Sequence, residues 1–238
     1  MGFVYPPTCP LCGEEDEANQ SITGAVRLCC ACRLNLVPDV EDWCVRCGAP
    51  VGPNLETTAG CFHCRDDRFA FEMVFCLGVY DDLLRSACQR SKQAHQQRLA
   101  AALAEALWQR HITGLQSAQA DWVVPIPQQR SKRVWRTHNP SETIGEVLAG
   151  HLQVEFGTHI LSKVRHTPAQ SNLSPTKRRA NLRGAFRVRR TPALAGATVL
   201  LVDDILTTGT TAHEASKALK RAGVGRVVVA VLARGLGR

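Results

Sequence analysis

The sequence has few aromatic residues and no long apolar segment. Phenylalanine, tyrosine and tryptophan make up 5% of the 238 residues. No run approaches the roughly 18 apolar residues that a membrane-spanning helix needs. The first residues, M-G-F-V-Y-P-P-T-C, lack the basic and apolar regions of a secretory signal. These absences predict a protein without a membrane span, and we expect it in the cytoplasm.

The two common phosphate-binding motifs are also absent. The chain has no G-x-x-x-x-G-K-[ST], the loop that places a lysine on nucleotide phosphates. It has no G-x-G-x-x-G, the turn of dinucleotide-binding folds. Any phosphate site in this chain must therefore be built from another pattern.

Residues 199–211, V-L-L-V-D-D-I-L-T-T-G-T-T, supply such a pattern. Four apolar residues predict a buried strand that ends at two acids, and a helical pattern follows from about residue 212 to 222. The loop between them offers backbone N–H groups and the positive end of a helix, which suit phosphate oxygens. The residues expected to contact the ligand are Asp203, Asp204, Thr207, Thr208, Gly209, Thr210 and Thr211.

Two carboxylates beside a phosphate loop suit a ribose 5-phosphate. Carboxylates accept hydrogen bonds from both hydroxyls of a diol and can help to hold Mg²⁺. The stretch resembles the phosphoribosyl-pyrophosphate (PRPP) motif of type I phosphoribosyltransferases, which implies Mg²⁺ bound with PRPP. The structural alternative is a parallel strand whose acidic end is only solvated.

A second anion site is predicted after Trp122-Val123-Val124. This short strand pattern ends in Pro125-Ile126-Pro127, which fixes an extended turn. Arg130 and Arg133 follow within a basic run that reaches residue 136. If the two strands are neighbours in a parallel sheet, this turn lies beside the first site and suits pyrophosphate.

Residues 165–186 form a long basic segment with two prolines and little apolar periodicity. A loop of that length in a compact domain is usually a functional lid. Arg165 and Arg178 are its candidate contacts with the ligand.

The remaining body alternates strand and helix patterns. Strands are predicted at 69–79, 160–164 and 225–233, and a helix at about 83–111 with a polar middle that bends or breaks. Arg90 and Lys92, in that middle, could approach an anion, but a solvated face is the preferred interpretation. Ser141 is expected to cap a helix that runs to residue 152.

Nine of the eleven cysteines lie in the first 64 residues, and eight of these nine form four C-x-x-C pairs. Two such pairs complete a Cys₄ zinc site without an open position, so two structural zinc ions are predicted. Sequential pairing is the simplest, but the spacing also permits alternating pairing. The predicted ligands are Cys9, Cys12, Cys29, Cys32, Cys44, Cys47, Cys61 and Cys64.

Charge is distributed unevenly along the chain. The first 65 residues carry a net charge of −4 and the rest carry +12. An acidic head on a basic body predicts two modules, 1–68 and 69–238, and an anionic partner for the body.

The order of these features resembles the ComF family. It comprises the paired cysteines, V-P-I-P with basic residues, R-x-T-x-x-Q-x-x-L-S-x-x-x-R-x-x-N-x-x-G-A-F, and the PRPP stretch. Two motifs depart from the family pattern. Lys92-Gln93-Ala94-His95 replaces a lysine–aromatic–x–glycine, and Thr137-His138-Asn139-Pro140 replaces a glycine–aromatic–asparagine–glutamine.

The resemblance implies a fold and a function. The fold is α/β: a double zinc ribbon precedes a type I phosphoribosyltransferase-like domain, with a mostly parallel sheet flanked by helices and a hood loop at 165–183. The function is DNA uptake in natural competence, or DNA utilisation, through a PRPP-type site and handling of single-stranded DNA, with competence-machinery proteins as partners. The alternative is an active Mg²⁺-dependent phosphoribosyltransferase of nucleotide metabolism. Its acceptor and catalytic residues are not identified by the sequence.

Overall fold

The computed structural model describes residues 8–15, 26–37, 42–128, 138–165, 182–189 and 192–236. Its helices are α1 (Cys30–Leu36), α2 (Asp82–Arg90), α3 (Gln97–Ser117), α4 (Pro140–Leu152) and α5 (Thr210–Arg221), with a 3₁₀ turn at Pro192–Leu194. Its strands are β1 (Val74–Val79), β2 (Trp122–Pro125), β3 (Glu155–Phe156), β4 (Leu161–Lys163), β5 (Phe186–Val188), β6 (Thr198–Leu206) and β7 (Arg226–Arg234).

Five strands form one parallel sheet in the order β1-β7-β6-β2-β3. Strands β6 and β7 are apolar along most of their length because both of their faces are buried. From β2 the chain proceeds outward to β3, and from β6 it proceeds the other way to β7. The strand order therefore reverses between β2 and β6, where open α/β sheets form a crevice at their carboxyl edge.

Two apolar clusters cover the sheet, one on each face. Alternate residues of β6 divide between them: Leu200 and Val202 face α3 and α4, whereas Val199 and Leu201 face α5. The pair β4–β5 is antiparallel and lies apart from the main sheet, on the α5 side. The predicted α/β class, parallel sheet and flanking helices are confirmed.

Several predicted boundaries were wrong. Strand β1 begins at Val74, not at residue 69, and α3 continues to Ser117 rather than ending near residue 111. The expected break in the polar middle is present, because α2 and α3 are separated at residues 91–96. Helix α4 is capped by Asn139, whose side chain accepts from the backbone N–H of Ser141 at 3.3 Å. The N-cap of this helix is therefore Asn139 and not the predicted Ser141.

The cysteines of the head gather in the two sequential sets. In each set the four sulfur atoms lie within 4.8 Å of one another. A tetrahedral Zn²⁺ with bonds of about 2.3 Å separates its sulfurs by about 3.8 Å. The Sγ atoms of Cys12 and Cys29 are 3.8 Å apart, and those of Cys47 and Cys61 are 3.7 Å apart. Both donor sets therefore fit zinc.

The head packs directly on the body. Leu11, Leu28 and Leu36 belong to the same apolar cluster as α3. The guanidinium of Arg90 in α2 donates to the backbone carbonyls of Pro10 and Leu11 at 3.2 and 2.9 Å. No helix within the described ranges is long and apolar enough to cross a membrane.

The two cysteine sets differ in exposure, and this predicts a difference in zinc release. Cys12 of the first set is exposed, whereas all four cysteines of the second set are buried. We expect a chelator to remove zinc from the first set faster, because it reaches that ion without local unfolding. Zinc release followed with a colorimetric indicator should show two phases.

Single substitutions assign these phases. Cys12→Ser should abolish the fast phase and Cys47→Ser the slow one. Cys30→Ser is the matched control, because Cys30 is exposed and belongs to neither set. Two full phases from Cys12→Ser would contradict the assignment.

Candidate functional site

Two acids lie side by side near the end of the central strand β6. Asp203 and Asp204 follow Val202, which pairs with Pro125 at the end of β2. The strand does not end at the acids as predicted. It continues to Leu206, because residues 205–206 still pair with β7. The carboxylates therefore project from regular strand beside the crevice between β2 and β6.

Asp203 is held by hydrogen bonds and carries a perturbed proton affinity. Its Oδ1 accepts from the hydroxyl of Ser141 at 3.3 Å and from the backbone N–H of Asp204 at 2.9 Å. Burial, followed by the negative charge of Asp204, raises the pKa of Asp203 well above its usual range. Asp203 thus holds a proton at pH values where ordinary aspartates are ionised.

Lys92 neutralises the other acid. Its Nζ lies 2.6 Å from Oδ2 of Asp204, and both side chains are largely shielded from solvent. Burial is the largest single effect and lowers the pKa of Lys92, but the charge and the hydrogen bond of Asp204, with smaller contributions from Asp203 and Tyr80, together outweigh it, and the net pKa is raised. The lysine remains charged, so the prediction of a solvated Lys92 was wrong.

The loop after β6 presents unpaired backbone donors. Among the described residues, no hydrogen bond is donated by the backbone N–H groups of residues 207–212. These residues, together with Asp203, line a small cavity of about 20 Å³. Unpaired N–H groups at the start of α5 make this cavity a cradle for an anion.

Gly209 gives the loop its sharp bend. Its φ of +70° is a left-handed conformation that side chains disfavour. A Cβ at this position would lie 2.7 Å from the ring of Phe69, the residue that follows the head. The same segment is fixed to α5, because the backbone N–H of Ala70 donates to Nδ1 of His213 at 3.1 Å. The head and the anion loop are thus in direct contact.

Arg234, at the end of β7, supports the loop from beneath. Its buried guanidinium donates to the backbone carbonyls of Leu206, Thr207 and Gly235. The backbone N–H of Gly235 adds a bond to the carbonyl of Leu206 at 2.8 Å. Sequence reasoning missed this residue, because Arg234 ends an apolar run that reads only as a strand.

The structure brings some predicted residues together and leaves others outside its described ranges. Asp203, Asp204 and Thr207 to Thr211 form one continuous surface, and Pro125 adjoins it through β2. Arg165 is exposed and donates to the carbonyl of Arg183 at 3.2 Å. The predictions for Arg130, Arg133 and Arg178 fall on residues outside the described ranges.

Ser141 and Lys92 were missed as site residues. Both lie far from β6 in sequence, and only tertiary packing brings them to the acids. The one available signal for Lys92 was the lysine that it shares with the family motif after the first body helix.

This arrangement can hold a polyol phosphate. Two adjacent acids offer several acceptor oxygens to neighbouring hydroxyls, and the protonated form of Asp203, which burial favours, adds a donor. The loop offers N–H donors to a phosphate at a short distance along the chain. Carboxylate oxygens also suit Mg²⁺, although Oδ2 of Asp204 already faces the Lys92 ammonium.

Comparisons with known proteins agree with this geometry. Residues 140–238 match the phosphoribosyl transferase domain family, and residues 1–65 match the double zinc ribbon domain family. DNA utilization protein YhgH of Salmonella typhi is 32% identical over 200 residues, which cover 81% of this chain and 84% of the relative. Competence protein F of Haemophilus influenzae is 27% identical over 211 residues, which cover 87% and 90%.

Among solved structures, glutamine phosphoribosylpyrophosphate amidotransferase from B. subtilis resembles part of this chain. The likeness covers 50% of this chain and 24% of that one, with 23% identity and a TM-score of 0.33. At that score the overlap adds nothing to the fold, which is evident from the parallel sheet and the two family models.

The raised pKa of Asp203 predicts a pH-dependent cost in stability. Because the folded state favours the protonated form, its stability is highest below the unfolded pKa of about 4 and falls as pH rises through the folded pKa. Asp203→Asn mimics the protonated acid, so it should unfold less readily than the parent at pH 7–8, by on the order of 1 kcal/mol or more. Urea unfolding at several pH values measures the difference.

The gain from Asp203→Asn should fall away as the pH drops below about 4, where Asp203 of the parent is protonated in both the folded and the unfolded state. Asp81→Asn is the control, because Asp81 is exposed and its side chain makes no cap hydrogen bond. A variant less stable than the parent at every pH would contradict the prediction.

The contact between Gly209 and Phe69 predicts that a methyl group added at residue 209 lowers the free energy of unfolding more than a positive φ alone would. Gly209→Ala should lose about 1–2 kcal/mol from its positive φ and about 1–3 kcal/mol more from the clash with the ring. Gly196→Ala separates the two terms, because Gly196 has a φ of +74° with nothing within 4 Å of the added Cβ. Equal losses of unfolding free energy in the two variants would exclude the clash.

Proposed function

Because the chain belongs to the ComF family, which includes DNA utilization protein YhgH and competence protein F, we propose that it acts in the uptake or utilisation of DNA. We propose further that it does so through a site for PRPP or a related phosphoribosyl ligand. The site consists of Asp203, Asp204 and the loop from Thr207 to Thr211.

One observation carries the ligand proposal: a run of unpaired backbone N–H groups begins three residues after an acid pair on the same strand. The first N–H groups of a helix have no partner within it, and the residues that carry them here line a cavity together with Asp203, so an external acceptor fits there. A phosphate accepts several N–H bonds at once, and the helix end stabilises its charge. Carboxylates repel a second phosphate but accept hydrogen bonds from hydroxyls, so the acid pair suits the sugar of the ligand.

Each group then has a role with a phosphoribosyl ligand. Asp203 and Asp204 bind the ribose hydroxyls, and the loop binds the 5-phosphate. Lys92 compensates the charge of Asp204 before the ligand arrives. Mg²⁺ bound with PRPP would neutralise the pyrophosphate, and the carboxylates of the acid pair are the described groups suited to meet it.

The DNA side of the proposal is supported by charge. Residues 66–238 carry a net charge of +12, and this suits a polyanion such as single-stranded DNA. We propose residues 1–68 as the double zinc ribbon and residues 69–238 as the phosphoribosyltransferase-like domain. Binding to competence-machinery proteins, and residence in the cytoplasm, belong to the same proposal.

Calorimetry with PRPP and Mg²⁺ tests the ligand. We expect one binding event per chain in the parent protein and at least a tenfold loss of affinity in Asp204→Asn, which removes a charged acceptor for the diol. Glu155→Gln is the matched control, because Glu155 is an exposed acid at the opposite edge of the sheet.

Two results would count against the proposed site. No heat with the parent protein would exclude a PRPP-type ligand, and equal binding by Asp204→Asn would exclude the acid pair as its diol contact. Release of pyrophosphate in the presence of a panel of nucleobases would show an active transferase, whereas binding without release would show a ligand-sensing site.

A further inference from the structure

A second and larger cavity adjoins the anion loop. Its volume is about 510 Å³, which is within the range of small-molecule sites. One wall is the segment Asp66 to Phe69 at the end of the head, another is the first two turns of α5, and the third is Arg183 before β5. Thr208 and Thr210 belong to the site described above as well, whereas Arg68, Arg183 and Lys217 have no part in it.

The position of this cavity determines which end of a ligand it meets. It shares Thr208 and Thr210 with the small anion cavity, so the two are contiguous through the loop. Asp203 and Asp204 do not line it. A ligand with its phosphate in the loop and its hydroxyls on the acids therefore reaches the large cavity from its phosphate end, not from the sugar.

The charges of the cavity suit an extension of that phosphate. Arg68 and Arg183 line it and form no ion pair within the described ranges. Asp66 and Asp67 line it as well, and the carboxylate of Asp66 lies 3.8 Å from Nε of Arg65. Glu214 is neutralised in place, because it accepts from the backbone N–H of Gly184 at 3.1 Å and from Lys217 at 3.3 Å. Two arginines in a walled cavity are groups that bind phosphate or stack on a planar base.

Phe69 supplies an apolar surface in the same cavity. Its ring stacks on Phe71 with centroids 4.5 Å apart and planes within 13°, so its orientation is fixed. An aromatic ring next to arginines is the combination that holds nucleobases without reading their sequence. A ligand that ended at the phosphate in the loop would contact neither the Phe69 ring nor the two arginines.

We propose that the site binds a nucleotide whose 5′-phosphate carries a further nucleoside, with the phosphate in the anion loop and the second nucleoside in the cavity between Phe69, Arg68 and Arg183. This inference rests on the proposed phosphoribosyl site and extends it. The linkage is a phosphodiester at a nucleic-acid end or a pyrophosphate in a dinucleotide, and both share the chemistry that the cavity recognises.

Calorimetry with AMP, ApA, d(ApA) and P1,P2-diadenosine diphosphate tests the inference. AMP has a terminal 5′-phosphate, whereas the others extend it. We expect at least one extended ligand to bind about tenfold more tightly than AMP, as charge-assisted contacts allow. The ligand that does so identifies the source: a ribonucleotide end, a deoxyribonucleotide end or a dinucleotide.

A double substitution shows where the gain arises. Arg68→Gln with Arg183→Gln should reduce the ratio of extended-ligand to AMP affinity to about two or less. Arg187→Gln is the matched control, because Arg187 is an exposed arginine on β5 that does not line the cavity. It should preserve the ratio.

The outcomes separate this inference from the proposed function. If AMP or PRPP binds and no extended ligand binds more tightly, the inference fails and the phosphoribosyl site stands. If the extended ligand gains affinity but the double variant keeps the ratio, the cavity is not the second site. If neither PRPP nor AMP binds, both proposals fail.

Discussion

The main constraint on the site is that two carboxylates lie on consecutive residues at the carboxyl edge of a buried sheet. Two adjacent charges in a poorly hydrated place repel each other, and the chain resolves this in two ways. Burial favours a proton on Asp203, and the Lys92 ammonium lies 2.6 Å from Asp204. The acid pair is therefore kept nearly neutral without a ligand. A diol that displaces the lysine exchanges one set of polar partners for another, which keeps the cost of entry low.

Sequence patterns predicted those features of the structure that depend on residues close together in the chain. The cysteine spacing predicted the eight ligands, although it left sequential and alternating pairing open, and the apolar runs predicted the parallel strands. What failed depended on distant partners. Strand β6 runs past Asp204 because β7 continues beside it, and Lys92 and Ser141 reach the acids only through the packing of α2 and α4. No periodicity in either segment records those contacts, so a solvated lysine and a capping serine were the natural local interpretations.

The zinc-binding head is integrated with the body rather than tethered to it. Its leucines share the apolar cluster of α3, and the segment that leaves its last cysteine pair forms the wall against which Gly209 packs. Zinc bound by the cysteine sets would therefore influence the anion loop from a distance, because it would fix the segment that contacts Gly209. A head that lost its metal would remove one wall of the large cavity as well as its own core.

Arg234 determines which way the peptide groups of the anion loop point. A trans peptide places its carbonyl and its N–H on opposite sides. Because the guanidinium holds the carbonyls of Leu206 and Thr207, the N–H groups of Thr207 and Thr208 must point the other way. The preference of this bend for anions is thus set by a side chain on a neighbouring strand, behind the loop. If those two peptide planes were turned over, the loop would present carbonyl oxygens instead of N–H groups. The same backbone would then attract cations.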